Sequence, residues 1–160
     1  MPIVLYRVDE RLIHGQVVLG WGSQLRPRRY LVVDDQLAES GWEQELYRLG
    51  LADGSVAEFL TVEQAREQLE TWRQDPVRSV LLTRDLGTMV RLAREGRLRG
   101  EKVNLGGIHH APGRVAVLPY LYLNEADRER VRELAEEGAD VSARDLPGSH
   151  KVHLEDLVDR

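Results

Sequence analysis

The sequence contains no cysteine and no long apolar run. The absence of cysteine excludes disulfides, thiol chemistry and cysteine-based metal sites. No segment approaches the roughly 18 apolar residues of a membrane-spanning helix, and Met1-Pro2-Ile3 lacks the basic and apolar regions of a signal peptide. We therefore predict a cytoplasmic protein, which would serve a membrane process only by associating peripherally with a separate membrane protein.

Lysine is almost absent as well. Lys102 and Lys151 are the only lysines among 22 basic residues, and the formal net charge is −5. A general nucleic-acid binder usually presents a basic face, so this charge argues against a nucleic-acid partner. The 160 residues, 42% of them hydrophobic, suffice for one ordinary domain, and we predict a single domain over residues 1–160.

Short apolar runs alternate with amphipathic segments along the whole chain. This alternation predicts an α/β fold with an open, mainly parallel β-sheet and helices on both faces. A capping box is expected at Thr61 and Gln64, a second cap at Asn124 and Asp127, and a helix end at Gly138. The predicted strands are Ile3–Val8, Arg29–Val33, Ser55–Leu60, Val77–Thr83, Val103–Leu105 and Ala139–Ala143, and the predicted helices include Leu12–Leu25, Trp42–Leu51, Val62–Arg73 and Leu86–Arg97.

The fold class predicts where a ligand would bind. In open α/β sheets, sites lie beyond the carboxyl ends of the strands, where the strand order switches. His14 follows the first strand closely, and we expect the turns at Thr83-Arg84-Asp85 and Gly106-Gly107 to lie at the same edge.

The segment DERLIHGQ, residues 9–16, combines charges with an imidazole. Arginine can hold a phosphoryl group by paired hydrogen bonds, and histidine is a fair nucleophile when one ring nitrogen is free. His14 could accept a phosphoryl group that Arg11 neutralises, with Asp9 orienting the ring and Gly15 opening the backbone to the phosphate. A structural histidine within a solvated ion-pair cluster is the alternative that the residues alone leave open.

Three segments carry a family resemblance. The stretch RVDERLIHGQVVLGW, Arg7 to Trp21, resembles the N-terminal signature of the mannose/sorbose-class IIB component of the bacterial sugar phosphotransferase system (PTS). The segment VNLGGIHHAPG resembles a second family motif, and Gly138-Ala139-Asp140-Val141 resembles the family's C-terminal strand. The resemblance extends over essentially the whole chain.

This resemblance implies a phosphocarrier. His14 matches the histidine that takes a phosphoryl group from a phosphohistidine of a IIA protein or domain, and Arg11 matches the arginine beside the phosphate. The implied acceptor is a sugar taken up by the membrane IIC and IID components, and no cofactor is implied. A regulatory or orphan IIB-like module that binds partners without driving transport stays open as an alternative, as does a homodimer.

Other residues near the expected edge have less defined roles. Thr83 is a candidate hydrogen-bond donor to the phosphate, although it could simply end its strand. Arg7, Arg84, Gly107 and His109 are candidates for the active-site edge or the partner surface. Adjacent histidines normally point in different directions and His150 and His153 lack a third ligand, so we predict no metal site.

Overall fold

The computed structural model describes residues 2–158, and these form a seven-stranded sheet with helices on both faces. The strands are β1 (Ile3–Asp9), β2 (Arg29–Val33), β3 (Val56–Leu60), β4 (Ser79–Thr83), β5 (Lys102–Gly107), β6 (Val115–Leu118), β7 (Leu121–Leu123), β8 (Asp140–Ala143) and β9 (Val152–His153). The α-helices are α1 (Gly22–Leu25), α2 (Gly41–Arg48), α3 (Val62–Gln74), α4 (Leu86–Ala93), α5 (Glu125–Glu136) and α6 (Leu154–Val158).

The sheet order is β3-β2-β4-β1-β5-β8-β9. All pairs are parallel except β8 with β9, and β6 and β7 form a separate antiparallel hairpin. The predicted open, mainly parallel α/β fold is confirmed. Because β1 lies between β4 and β5, the loops that follow these three strands meet at one edge of the sheet.

Side-chain alternation along the strands separates the core into two layers. One layer packs Tyr6, Val8 and Leu105 of the sheet against α3, α4, α5 and α6. The other packs strands β2 and β4 against the segment Leu12–Val18 and the residues around α2. None of the helices formed by residues 2–158 has the length and apolar character that a bilayer-spanning segment requires.

Local capping signals in the sequence predicted two helices well. Thr61 and Gln64 form a reciprocal capping box at the start of α3, and Asn124 and Asp127 form another at the start of α5. Gly138 follows α5 with a φ of +97°, the left-handed conformation that ends a helix. The predicted caps are therefore confirmed. They could be predicted from the sequence because the two partners of each capping box lie within one turn of each other.

The predicted helix Leu12–Leu25 is wrong at its start. Leu12 is fully buried with a φ of +55°, which a right-handed helix cannot contain. Residues 10–14 form a turn instead, and Gln16–Trp21 then has π-helical geometry before the short α1. This turn places the side chains of Asp9, Arg11 and His14 next to one another.

The predicted turn at Gly106-Gly107 is also wrong. Both glycines are buried at the end of β5 rather than in a turn. The hairpin β6–β7, strand β9 and helix α6 were not predicted from the sequence. Their apolar segments are short, and their positions depend on contacts with the rest of the fold.

Candidate functional site

A buried ion pair lies under the loop that follows β1. Arg7 and Asp9 are both fully inaccessible to solvent, and Arg7 donates from Nε and Nη2 to Asp9 Oδ2 at 3.3 and 3.0 Å. Arg7 also donates from Nη1 to Asn104 Oδ1 at 2.6 Å and from Nη1 and Nη2 to the carbonyls of Arg144 and Asp145, both at 3.0 Å. The five N–H donors of this guanidinium therefore all have acceptors, which a buried charge requires.

The two glycines at the end of β5 make room for this pair. A Cβ atom on Gly106 would lie 2.0 Å from Arg7 Cζ, and one on Gly107 would lie 3.1 Å from Asp9 Oδ1. Any side chain at position 106 would occupy the volume of the guanidinium. The Gly-Gly motif is therefore explained by the close approach of charged side chains to the strand, and not by a turn.

Asp9 also contacts the histidine. His14 Nε2 lies 3.0 Å from Asp9 Oδ2, and the His14 side chain is 15% exposed. Burial alone would raise the pKa of Asp9, but the hydrogen bond from His14 and the charge of Arg7 outweigh it and lower this pKa to about 2. The carboxylate is ionised at neutral pH and can only accept, so His14 Nε2 carries the proton of this bond.

The same hydrogen bond determines which ring nitrogen is free. A neutral imidazole has one protonated nitrogen and one with an available lone pair. With Nε2 protonated toward Asp9, the lone pair lies on His14 Nδ1. In the neutral ring, Nδ1 is therefore the nitrogen with an available lone pair.

Arg11 is the accessible cation of the loop. Its backbone N–H donates to Asp9 Oδ1 at 3.1 Å, and its side chain is 39% exposed. Nη2 donates to Gln16 Oε1 at 2.6 Å, whereas Nε lies 3.5 Å from Asp9 Oδ1 without forming a hydrogen bond. The guanidinium is thus held in place while retaining N–H groups that could bind an anion.

A second ion-pair network borders the loop. Glu10 accepts from Arg114 Nη1 at 3.0 Å, and Glu10 Oε2 lies 3.0 Å from His109 Nδ1. Arg114 Nε also donates to Asp127 Oδ2 at 3.1 Å. His109 is about half exposed, so the structure places it at the rim of the site, beside Glu10.

The loop after β4 is occupied by its own contacts. The Thr83 hydroxyl is fully buried and donates to the Asp85 carbonyl at 3.1 Å, so a bond to phosphate would require this contact to break. Arg84 donates to both carboxylate oxygens of Asp34 at 3.1 and 3.3 Å. Gly15 is exposed, with open space where a side chain would project.

Four supporting groups were not assigned from the sequence. Asn104 and the carbonyls of Arg144 and Asp145 hold Arg7, and Gln16 holds Arg11. The Trp21 ring lies 5.4 Å from Arg7 Cζ, and its Nε1 donates to the Asp145 carbonyl. Asn104 and Gln16 lie inside the motifs that resemble the family, so the sequence contained a signal that could have identified them. The backbone carbonyls are more than 130 residues from Arg7, and no sequence pattern indicated their contact with it.

Comparison with known proteins establishes the family. The sequence profile of the "PTS system sorbose subfamily IIB component" matches residues 3–160. The chain belongs to this IIB family. No group of three or more histidine and acidic side chains within residues 2–158 is arranged to hold a metal ion.

Individual relatives of this IIB component cover nearly all of it. It is 28% identical to the N-acetylgalactosamine-specific phosphotransferase enzyme IIB component 1 of Escherichia coli K12, over 96% of this chain and 97% of the relative. It is also 28% identical to the mannose-specific EIIAB component of the same strain, and it spans 49% of that longer protein. The crystal structure of manxB from Thermoanaerobacter tengcongensis matches with a TM-score of 0.84 and 29% identity, over 99% and 95% of the two chains.

We predict that Gly106→Ala destabilises the IIB component by about 2–4 kcal/mol, because the new methyl group displaces a guanidinium with no spare room. Urea denaturation measures this loss. Gly41→Ala is the matched control, since a Cβ atom there meets nothing within 4 Å. Equal stability of the two variants would contradict the proposed close approach.

We predict that the Arg7–Asp9 pair makes stability depend on pH in the acid range. The folded-state pKa of Asp9 is lowered from 3.8 to about 2, so its stabilisation is fully present above about pH 4 and is lost as the pH falls towards 2. Asp9→Asn should cost about 3 kcal/mol at neutral pH, because Arg7 stays buried without its counter-ion. The difference from wild type should shrink on acidification.

Denaturation midpoints at several pH values measure this effect. Asp53→Asn is the control, because Asp53 is exposed and its side chain forms no hydrogen bond or ion pair with the described residues. A difference between Asp9→Asn and wild type that stays constant down to pH 2 would contradict the assignment.

Proposed function

We propose that this protein is a phosphocarrier that accepts a phosphoryl group on His14 Nδ1 from a phosphohistidine of a IIA protein or domain. It then passes the group to a sugar taken up through membrane IIC and IID components. The hydrogen bond between His14 Nε2 and ionised Asp9 supports this proposal most directly, because it leaves Nδ1 unprotonated in a partly exposed ring. The relation to a fused mannose-specific EIIAB component supports a IIA donor.

The transfer exchanges one nitrogen–phosphorus bond for another. The lone pair of His14 Nδ1 attacks the phosphorus atom in line with the donor's N–P bond, which breaks and returns its electron pair to the donor imidazole. Asp9 stabilises the positive charge that the His14 ring gains. In the transfer to a sugar, the sugar hydroxyl oxygen forms the new O–P bond, the Nδ1–P bond breaks and returns its electron pair to Nδ1, and the hydroxyl proton passes to solvent.

Arg7 and Arg11 have different electrostatic roles in this proposal. Arg7 is buried and saturated by its acceptors, so it supports Asp9 and does not reach the phosphate. Arg11 is partly exposed, and its Nη1 donates to none of the described residues, so it is suited to neutralising the transferred phosphoryl group. One exposed arginine would stabilise the phosphate without holding it too tightly to be passed on. Gly15 leaves the approach to His14 open, and in this proposal His109 and Arg84 would border the surface that a partner protein contacts.

We predict one acid-labile, base-stable phosphate, on His14 Nδ1. Phosphoenolpyruvate, the general PTS proteins and a cognate IIA would load it, mass spectrometry at neutral to basic pH would locate it, and ¹⁵N-edited NMR would identify the nitrogen. His14→Ala should abolish the signal, while His153→Ala, at an exposed position on β9, should retain it. Phosphate on Nε2 would overturn the role of Asp9, and none on His14 would overturn the proposed function.

We predict that Arg11→Lys slows phosphoryl transfer by about tenfold or more, because an ammonium replaces the planar guanidinium. Its unfolding free energy should stay close to that of wild type. Rapid-quench kinetics with phosphorylated IIA measures the rate. Arg132→Lys on α5 is the matched control, since its side chain has similar exposure, 37% against 39%. A wild-type rate for Arg11→Lys would remove the proposed role.

A further inference from the structure

A groove crosses the part of the sheet that α1 and α2 leave uncovered. Tyr6, Val103 and Val141 of strands β1, β5 and β8 pack into the core layer formed with α3, α4, α5 and α6. Strand alternation turns Lys102, Asn104 and Ser142 to the opposite face. There they line a groove of about 530 Å³, which lies within the usual size range of small-molecule sites.

The groove is cationic although the protein is acidic overall. Arg78, Lys102, Arg144 and Lys151 line it, and these include both lysines of the chain. Neither lysine ammonium forms a hydrogen bond or an ion pair within residues 2–158. Arg144 Nε is buried and makes no hydrogen bond in the same range. Several cationic donors in the groove therefore have no anionic partner of their own.

Acidic groups do not neutralise these cations. Glu101 is the one acid that lines the groove among the described residues, and its carboxylate lies 3.6 Å from Arg73 Nε. Asp140 is the cross-strand neighbour of Lys102, but the two side chains form no ion pair. The groove thus keeps a net positive charge inside a chain whose formal charge is −5.

We propose that this groove binds a small organic phosphate. The unpaired lysines and Arg144 would hold the phosphate, and the apolar wall formed by Val4, Leu5 and Leu25 would contact the carbon skeleton. Charge complementarity supports a dianionic ligand, and the concave shape supports a small molecule. This site does not include His14 and is separate from the proposed phosphoryl relay.

The inner end of the groove shares residues with the support of the histidine loop. Trp21, Asn104 and Arg144 line the groove, and the same three residues contact Arg7 through the indole ring, the amide oxygen and the backbone carbonyl. A ligand bound there would pack against the residues that hold the Arg7–Asp9 pair. Occupancy should therefore raise the melting temperature of the protein.

Isothermal titration calorimetry on the His14→Ala protein tests the proposal. This background removes the phosphorylated residue, so the result does not depend on phosphoryl transfer. Glucose 6-phosphate is the probe, with glucose and inorganic phosphate as comparison ligands. We expect glucose 6-phosphate to bind with a dissociation constant at about the millimolar level or below, more tightly than either comparison ligand, and to raise the melting temperature.

Charge-removing variants locate the site. Lys102→Gln combined with Lys151→Gln should weaken binding by about tenfold or more. Arg48→Gln combined with Arg94→Gln is the matched control, because it removes two exposed charges away from the groove and should leave the affinity unchanged. Circular dichroism verifies that both double variants are folded.

Several outcomes would overturn the proposal. The groove would not be the binding site if glucose 6-phosphate failed to bind. The same conclusion would follow if the lysine double variant bound glucose 6-phosphate as tightly as the protein with both lysines. If inorganic phosphate bound as tightly as glucose 6-phosphate, the groove would be a simple anion site and not a site for an organic phosphate. If glucose bound as tightly as glucose 6-phosphate, the phosphate group would have no role in binding. None of these results bears on phosphorylation of His14, so the two proposals fail independently.

Discussion

The buried ion pair between Arg7 and Asp9 is the interaction on which the active loop depends. Two charges without solvent contact are stable only when each polar atom has a partner, because the loss of hydration costs several kcal/mol per ion. Here the guanidinium uses all five donors, and these contacts join β1 to β5 and to the loop after β8. The absence of a side chain at Gly106 gives the guanidinium its space.

The same pair sets the chemistry of the histidine. Arg7 helps to keep Asp9 ionised, Asp9 orients the His14 ring, and the ring presents Nδ1 as the free nitrogen. The buried charge of Arg7 is thus linked to the His14 ring through the Asp9 carboxylate, without direct contact between Arg7 and His14. Arg11 is left partly exposed, with its side chain 39% accessible to solvent. Stability and reactivity therefore rest on the same carboxylate.

The position of the site follows from the sheet topology. β1 is central and lies between β4 and β5, so its loop occupies the switch in strand order where α/β proteins place ligands. On the face of the sheet that α1 and α2 cover in part, the short α1 leaves β5 and β8 open, and the cationic groove results. The strand order thus determines the position of the histidine loop, and the incomplete helix coverage of the sheet determines the position of the groove.

Much of this protein was encoded locally in its sequence. The strand–helix alternation, the capping boxes of α3 and α5 and the charged segment around His14 depend on neighbours within a few residues, so the fold class and the central histidine could be read directly. The motifs that resemble the family further predicted that the protein is a phosphocarrier. The sequence did not predict the break at Leu12, because a single left-handed residue inside an apolar segment has no pattern of its own.

Only the tertiary structure decided the burial of Arg7 and the purpose of the glycines at the end of β5. From the sequence, Arg7 and Gly107 were candidates for the site edge, and Gly106-Gly107 was a turn. The contacts that place them join residues 97 to 138 positions apart, and a linear pattern does not specify which distant atoms will meet. The same limit applies to Lys102 and Lys151, which become neighbours in one groove only after the sheet has formed.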